Sequence, residues 1–345
     1  MLKFGVVSRH GVRWPRTLLG RRRYVSLLLL RELAHDPATS ADEYDRLAGH
    51  ACMPNGVWKL TRHGRLRLLD DAVVEILRQR HPPGSALTVC DLAASTGATS
   101  VDFFRALAPH FDVRFTASDL YRDVVAVRNR RWPAAIVFDG AGQEIQYIFG
   151  PFVLPRSPAE SPAYPINHAL KAVLRSRLVP AARTVLDTVN LKALGPFDSV
   201  DVKGYEVVKL PMLTRDTLAA IGAHDGFTFE EWNVLEPLPA RAHVVRCMNI
   251  LTPEHFPDEV RTRAIRNCVD AVLPGGLFIV GSSPTADATM VQASIYAVDD
   301  GRLVRLRSLN DGSEIDALVG RTYRVVDSRE DAPSPAAASG RAVTR

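Results

Sequence analysis

Two aspartates at the ends of neighbouring predicted strands are the residues of this chain whose type and spacing best suit ligand chemistry. Residues 87–97, LTVCDLAASTG, run as a short apolar strand that reaches Asp91 and then breaks into a turn. Asp119 follows 28 residues after Asp91 and ends a second strand, VRFTASD. A carboxylate at the tip of such a strand can accept hydrogen bonds from two ribose hydroxyls, so the pair predicts a nucleotide site that favours an unphosphorylated ribose.

The turn after the first strand is made of small residues, namely Ala93, Ala94, Ser95 and Gly97. Small side chains let a ligand approach the backbone closely. Ser95 or Thr96 can cap a helix that begins near Thr99. The turn taken alone is weak evidence, because a plain strand-to-helix connection explains it about as well. Its significance comes from the ordered segments that follow it.

Those segments are FEEWNVLEP, HVVRCMNIL, an amphipathic helix and LPGGLFIVG, in that order. Together with the two acidic strands, they resemble the class I S-adenosylmethionine-dependent methyltransferases. Within that superfamily the chain is most similar to the chemotaxis-receptor methyltransferases, which share the turn, an RN-x-L motif and a PGG segment. The resemblance covers roughly residues 60–300, with firm motifs at these segments, and it implies S-adenosylmethionine as the cofactor.

The resemblance assigns the methionine end of the cofactor to the first turn. In the family, the acid of that turn and the turn backbone bind this end. The matching residues here are Asp91, Ala93, Ser95, Thr96 and Gly97.

The resemblance assigns the nucleoside to later strand ends. Asp119 matches the ribose-binding acid, while Asn233 and Val234 fall where the family contacts adenine. Arg246 and Asn249 in RCMNIL resemble the family's RN pair, although one extra residue separates them here. Asn249 also stands at the carboxyl end of a core strand, where a side chain faces the ligand crevice of an open α/β sheet or caps the next loop.

No residue is assigned as catalytic, and the methyl acceptor stays open between a protein carboxylate, a small metabolite and a lipid-linked acceptor. Methyl transfer needs the acceptor aligned with the methyl carbon, and a carboxylate acceptor needs no base. A hydroxyl or amine acceptor would need one, for which Glu254 and His255 are candidates. A polar loop after a strand explains both residues more simply.

Composition indicates a globular protein with a basic arm. The 345-residue chain has a formal net charge of +5, and residues 1–31 contain no acid. This arm suits weak contact with an anionic surface, although most basic termini are simply solvated. No aromatic-interleaved RNA-binding motif accompanies it, so nucleic acid is not expected. The sequence contains no run of about 18 apolar residues, so no membrane-spanning helix is expected.

The four cysteines have neither zinc-site spacing nor the density of a disulfide scaffold, and the ten histidines are scattered. Reduced thiols, no metal site and a cytoplasmic location are therefore expected.

The predicted fold is α/β, a Rossmann-like seven-stranded methyltransferase sheet with a terminal antiparallel hairpin. Residues 1–85 form the basic arm and a helical lead-in, which in the resembled family lies against the cofactor domain. Residues 86–330 form the cofactor-binding domain, with an inserted substrate lid at about 133–212, and residues 331–345 form a disordered tail. The elements predicted within these parts are helices at 65–80, 167–187 and 257–272, a hairpin in AAIVFDGAGQEIQYIF, and a hairpin around Asp299–Gly301.

Two other functions fit part of this pattern. A nicotinamide-dependent dehydrogenase shares the strand, small turn, helix and distal acid, but the missing G-x-G-x-x-G and the terminal hairpin count against it. A non-catalytic protein that keeps the methyltransferase fold for binding, such as an adaptor at an anionic surface, remains the main alternative.

Overall fold

The computed structural model describes residues 25–49, 53, 59, 61–156, 165–283, 285, 287–299 and 301–328. The described residues form two β-sheets with helices packed on their faces. The helices are α1 Leu29–His35, α2 Ala41–Gly49, α3 Arg67–Arg80, α4 Ala98–Leu107, α5 Pro165–Leu186, α6 Arg215–Ala223, α7 Asp258–Asp270 and α8 Asp316–Thr322, with 3₁₀ turns at Leu191–Ala193 and Ala288–Met290. The strands are β1 Ala86–Leu92, β2 Asp112–Asp119, β3 Asp123–Asn129, β4 Ala134–Phe138, β5 Glu144–Phe149, β6 Phe152–Pro155, β7 Ser199–Val202, β8 Tyr205–Pro211, β9 Phe227–Glu231, β10 Ala242–Met248, β11 Val272–Ser282, β12 Gln292–Asp299, β13 Arg302–Leu309 and β14 Val325–Asp327.

The larger sheet has the strand order β14-β13-β12-β11-β10-β1-β2-β9. Strands β9, β2, β1, β10 and β11 are parallel, and β12 pairs antiparallel with β11. The order reverses at β1, from which the chain passes to β2 on one side and later to β10 on the other. Ligands of open α/β sheets bind at the carboxyl ends of the strands beside such a reversal. This is the predicted Rossmann-like α/β fold.

Apolar faces explain why the helices cover this sheet on both sides. Buried residues of α3 and α4, including Val73 and Phe103, form one core with β1, β2 and β9. Residues of α7 and α8, including Ile265 and Val319, form the core on the opposite face. The predicted helices at 65–80 and 257–272 are thus confirmed, with ends shifted by one or two residues.

The carboxyl-terminal end of the sheet differs slightly from expectation. The hairpin around Asp299–Gly301 is confirmed as β12 paired antiparallel with β13. The sheet nevertheless has eight strands rather than seven, because Val325–Asp327 returns after α8 and pairs in parallel with β13. A three-residue strand gives too short a pattern to be detected from sequence.

The insertion after Asp119 is a second sheet rather than a hairpin and a helix alone. It contains six antiparallel strands in the order β6-β5-β4-β3-β8-β7. The predicted hairpin is confirmed as β4 and β5, and the predicted helix as α5. The inserted sheet runs from Asp123 to Pro211, so it begins about ten residues before the predicted boundary at 133.

Within the inserted sheet, the sequence analysis missed the strands β3, β6, β7 and β8. Lys203 and Gly204, which join β7 to β8, both have positive φ, as a tight hairpin turn requires. This Lys-Gly pair between the valine-rich runs SVDV and YEVVKL was the available signal.

Each face of the inserted sheet has its own helical cover. Leu30 and Leu33 of α1 and Tyr44 and Leu47 of α2 pack on one face, whereas α5 packs on the other. The helical lead-in is therefore divided. Helix α3 lies against the larger sheet, as the family resemblance implied, but α1 and α2 lie against the inserted one.

Arg215 connects the two units. Its backbone N–H donates to Oδ1 of Asp45 at 3.0 Å, and its guanidinium donates to the carbonyl oxygens of Thr39 and Leu33 at 2.8 and 2.6 Å. Arg215 begins α6, which also packs against the first turn of the larger sheet. The inserted unit is thereby held beside the carboxyl ends of the parallel strands.

Several sequence-based predictions concern residues outside those described, namely most of the basic arm, Cys52 and the tail after 330. Cys90, Cys247 and Cys268 are free thiols. Among the described helices, none is long and apolar enough to cross a bilayer. Within the described ranges, no group of three or more His, Cys, Asp or Glu side chains is arranged to hold a metal ion.

Candidate functional site

The turn between β1 and α4 is shaped by alternating left-handed residues. Ala93, Ser95 and Gly97 have φ values of 55°, 60° and 85°. A Cβ on Gly97 would lie 2.6 Å from both Cγ2 and Oγ1 of Thr217 in α6, so glycine is required here by conformation and by space. The turn is closed by the Gly97 N–H, which donates to the carbonyl oxygen of Ala94 at 2.9 Å.

Asp119 lies at the end of β2, beside this turn, with its side chain 13% exposed. Its Oδ2 accepts a hydrogen bond from the Ser95 N–H at 2.8 Å. Its Oδ1 accepts from the Tyr121 N–H at 3.0 Å and from Nζ of Lys59 at 2.8 Å. The predicted ribose acid is therefore held rigidly at the cavity, and it already has a cationic partner.

Arg246 lies beneath the turn, and its side chain is 1% exposed. Its Nε and Nη2 donate to Oδ1 and Oδ2 of Asp91 at 2.8 and 2.5 Å, and its Nη1 donates to Asp70 Oδ1 at 2.6 Å. Nη2 also donates to the carbonyl oxygen of Thr99 at 3.0 Å, and the guanidinium lies 4.4 Å from the Phe103 ring centroid. The guanidinium thus ties strand β10 to β1, α3 and α4.

The acids of this buried cluster differ in their surroundings. Asp91 also accepts from the Ser100 hydroxyl at 2.6 Å. Burial raises the pKa of Asp70 to about 8, although the nearby Arg246 acts to lower it. Asp70 therefore loses its proton less readily than a solvated aspartate, and Asp91, which accepts two hydrogen bonds from the guanidinium, is the main counter-ion of Arg246. A near-neutral cluster reduces the penalty of burying these groups.

Asn233 and Asn249 lie at the ends of β9 and β10. The Asn233 side-chain oxygen accepts from the Leu235 N–H at 3.0 Å, which forms a local turn. Asn249 has a φ of 62°, and its side-chain oxygen accepts from the Ser283 N–H at 2.6 Å. Both asparagines fix loops at the carboxyl ends of the strands and leave their amide NH₂ groups available as donors.

A cavity of about 180 Å³ lies where these elements meet. Eight residues of the predicted small-residue turn and strand ends line it, namely Asp91, Ala93, Ala94, Ser95, Asp119, Asn233, Val234 and Asn249. Three other predicted residues do not line it: Thr96 and Gly97 shape the turn, and Arg246 lies behind Asp91. Tertiary structure therefore brings most of the predicted site residues to one place.

Sequence reasoning missed several residues that line the same cavity, namely Lys59, Thr61, Arg65, Leu120, Tyr121 and Trp232. Lys59 and Thr61 precede α3 in a stretch without periodicity, so the sequence carries no signal for them. Arg65 begins the predicted helix, where the periodicity marks its apolar residues and not the arginine. Leu120 had a visible signal, since it is an apolar residue directly after the predicted ribose acid. In the structure its side chain is 44% exposed. Glu254 and His255 are exposed and do not line the cavity.

Two buried polar atoms of lining residues point to a ligand. The Ser95 hydroxyl and the Trp232 indole N–H are inaccessible to water and have no hydrogen-bond partner within the described part of the chain. Buried polar groups in native proteins nearly always have partners. These two atoms are therefore candidate contacts for a polar ligand whose binding displaces the groups that cover them.

A larger cavity of about 690 Å³ lies between α1 and the inserted sheet. Its charged side chains are partly paired with each other, as in the 2.9 Å contact between Arg31 and Glu206. By volume alone, this cavity would be the better candidate for the ligand site. The smaller cavity is the better candidate by its chemistry, because hydrogen-bond donors and acceptors converge there at the strand ends.

His63 anchors the segment that carries Lys59 and Arg65. Its Nδ1 lies 2.8 Å from Asp102 Oδ1 and its Nε2 lies 3.6 Å from Asp216 Oδ2. The hydrogen bond with Asp102 raises the pKa of His63, while burial acts to lower it. Protonated His63 thus bridges α4 and α6 beside the cavity.

This contact predicts a pH dependence of stability. Because the folded-state pKa is raised, the contribution of His63 is fully present below its unfolded pKa of about 6.5 and is lost as pH rises through the folded value. The free energy of unfolding can be measured with urea between pH 5.5 and pH 8.5 (about the range for histidine). In His63→Gln, this free energy should fall less steeply as pH rises than in the wild type. His255→Gln, at an exposed position, is the control; an unchanged slope in His63→Gln would contradict the assignment.

No protein-family model and no curated protein sequence matches this chain. Solved structures with a similar fold include the N-methyltransferase NodS from Bradyrhizobium japonicum bound to S-adenosylhomocysteine, with 11% identity, 66% of each chain covered and a TM-score of 0.28. An O-methyltransferase family protein from Burkholderia thailandensis has 12% identity and a TM-score of 0.27, over 72% of this chain and 42% of the other. The aminopentose methyltransferase CalS10 from Micromonospora echinaspora has 11% identity and a TM-score of 0.27, over 68% of this chain and 59% of the other.

The chain thus spans less than two thirds of the length of each of these three structures.

Proposed function

We propose that this protein binds S-adenosylmethionine at the carboxyl ends of β1, β2, β9 and β10 and transfers its methyl group to an acceptor. The observation that carries this proposal is the convergence of a small-residue turn, a strand-end aspartate and unpartnered buried donors on one cavity. This position beside the strand-order reversal is where open α/β sheets bind nucleotides.

The residues present fit such a cofactor. Asp119 retains an acceptor position for a ribose hydroxyl, and the indole N–H of Trp232 and the hydroxyl of Ser95 can bond to polar ligand atoms. Asn233 and Val234, with the exposed side chain of Leu120, offer a half-apolar surface for adenine. The bound cofactor would supply an electrophilic methyl group on its sulfonium.

We assign the methionine end to the first turn. Ala93, Ser95 and Asp91 line the cavity there, whereas Thr96 and Gly97 set the backbone path. Arg246 acts through Asp91, whose carboxylate it orients, rather than by touching the ligand. We also propose that Asn249, in the RCMNIL segment that resembles the receptor methyltransferases, contacts the cofactor, since it lines the same cavity.

The acceptor belongs to one of two classes, a protein carboxylate or a small metabolite. Among the described residues that line the cavity there is no histidine, and Asp91 and Asp119 already accept several hydrogen bonds each. An acceptor that arrives ionised, such as a carboxylate, needs no proton removed. The proposed setting is the cytoplasm, with weak contact between the basic arm and anionic surfaces.

Calorimetric titration with S-adenosylhomocysteine tests the proposal. Asp119→Ala should weaken binding by at least about tenfold, since a hydrogen bond to a charged group is lost. Asp112→Ala, at the opposite end of the same strand, should bind like the wild type, and NAD should not bind. Thermal unfolding of each variant checks that it is folded.

Equal affinity of Asp119→Ala and wild type would contradict the proposed ribose site. Absence of S-adenosylhomocysteine binding by folded wild-type protein would reject the methyltransferase proposal and favour the non-catalytic binding protein.

A further inference from the structure

Asp119 has little acceptor capacity left for a ribose. A carboxylate offers about four lone-pair positions, two on each oxygen. Oδ1 already accepts from Lys59 Nζ at 2.8 Å and from the Tyr121 N–H at 3.0 Å. Oδ2 accepts from the Ser95 N–H at 2.8 Å. One position therefore remains, and it lies on Oδ2.

Lys59 is a buried residue of the site, and three hydrogen bonds fix its ammonium group. Its side chain is 4% exposed, and Nζ donates to Asp119 Oδ1, to the Tyr121 carbonyl oxygen at 2.6 Å and to the Ser95 carbonyl oxygen at 3.1 Å. An ammonium group has three hydrogens, so these three bonds use its full donor capacity. Displacing it would break all three bonds and separate a partly buried ion pair.

We infer that Lys59 is a specificity-determining residue, which limits Asp119 to one ribose hydroxyl. This inference rests on the proposed function, because it concerns how the same site reads the nucleoside. An acid free on both oxygens can accept from the 2′- and the 3′-hydroxyl together. With Lys59 and the Tyr121 N–H on Oδ1, one hydroxyl bonds to Oδ2 and the other does not bond to Asp119.

The consequence is an asymmetric tolerance to ribose changes. Removing the hydroxyl that bonds to Oδ2 leaves a charged acceptor position without its donor. Removing the other hydroxyl leaves the hydrogen bonds of Asp119 intact. The two monodeoxy forms of one ligand should therefore bind with clearly different affinities.

The test compares S-adenosylhomocysteine with its 2′-deoxy and 3′-deoxy analogues by calorimetry on the wild-type chain and on Lys59→Met. Methionine keeps the length of the side chain and removes its charge and donors. In the wild type, one analogue should lose about tenfold to hundredfold in affinity and the other about twofold or less. In Lys59→Met, Oδ1 gains a free position, so both analogues should bind more weakly than the parent ligand.

Comparable losses of affinity for both analogues in the wild type would overturn the inference, since Asp119 would then accept hydrogen bonds from both hydroxyls. No loss for either analogue would overturn it as well. An unchanged one-sided pattern in folded Lys59→Met would show that Lys59 does not set the limit. If Lys59→Met does not fold, the wild-type series decides. Failure of the parent ligand to bind wild type is distinct from these results and rejects the proposed function itself.

Discussion

Replacing Arg246 with leucine is expected to lower the free energy of unfolding by about 3–5 kcal/mol, the usual consequence of removing one partner from a buried ion pair. Arg246 makes four hydrogen bonds to Asp91, Asp70 and Thr99 from a side chain that is 1% exposed. Without it, Asp91 keeps the Ser100 hydroxyl but loses its cation. Urea unfolding followed by circular dichroism measures the effect.

The matched control is Arg67→Leu, because Arg67 and Asp71 form a 3.9 Å contact on an exposed face of α3. Such surface pairs contribute between about 0 and 1 kcal/mol. Asp70→Asn should also cost less than Asp91→Asn, because Asp91 accepts two hydrogen bonds from Arg246 and one from Ser100. Asp70 accepts one from Arg246, and burial raises its pKa. If Arg246→Leu costs no more than Arg67→Leu, the buried cluster does not stabilise the fold as described.

Gly97→Ala is expected to destabilise the protein by about 2–5 kcal/mol and to weaken S-adenosylhomocysteine binding. A left-handed residue with a Cβ costs about 1–2 kcal/mol, and forcing an atom into a packed site costs about 1–3 kcal/mol. Both effects apply, since Gly97 has a φ of 85° and its Cβ would meet Thr217 at 2.6 Å. The turn must then shift away from α6, which moves the backbone that faces the cavity.

Gly142→Ala separates the conformational cost of a left-handed alanine from the cost of the clash with Thr217. Gly142 has a φ of 75°, but nothing lies within 4 Å of the position of its Cβ, so only the conformational cost applies. Thr217→Ala should partly rescue Gly97→Ala in a double-mutant cycle, because it removes the two atoms that clash. Equal losses in Gly97→Ala and Gly142→Ala would show that the contact with Thr217 is not felt.

The larger sheet was predictable because its signals are local. The apolar strands β1 and β2 end in acids, α3 and α7 show helical periodicity, and β12 and β13 flank a clear turn. Each signal depends on residues close in sequence. The inserted sheet was predicted only in part, since β3 must find its partners β4 and β8 across very different sequence distances. Pairing over long separations leaves no pattern within one strand.

Residue order along the chain was enough to predict which side chains lie together, because the carboxyl ends of adjacent parallel strands must lie side by side. Asp91, Ser95, Asp119, Asn233 and Asn249 accordingly line one cavity. Spacing along the chain does not show which hydrogen-bond partners each of these residues has.

The hydrogen-bond partners of these residues follow from folding and not from their positions along the chain. Arg246 matched a motif of the resembled family, yet packing turns its guanidinium inward to Asp91 and Asp70. Lys59 matched no pattern, yet folding places its ammonium on Asp119, 60 residues away in sequence. A charged side chain that is removed from water needs a partner of opposite charge or a hydrogen bond, because an unpaired buried charge is costly. Three-dimensional packing determines which groups lie near enough to be that partner.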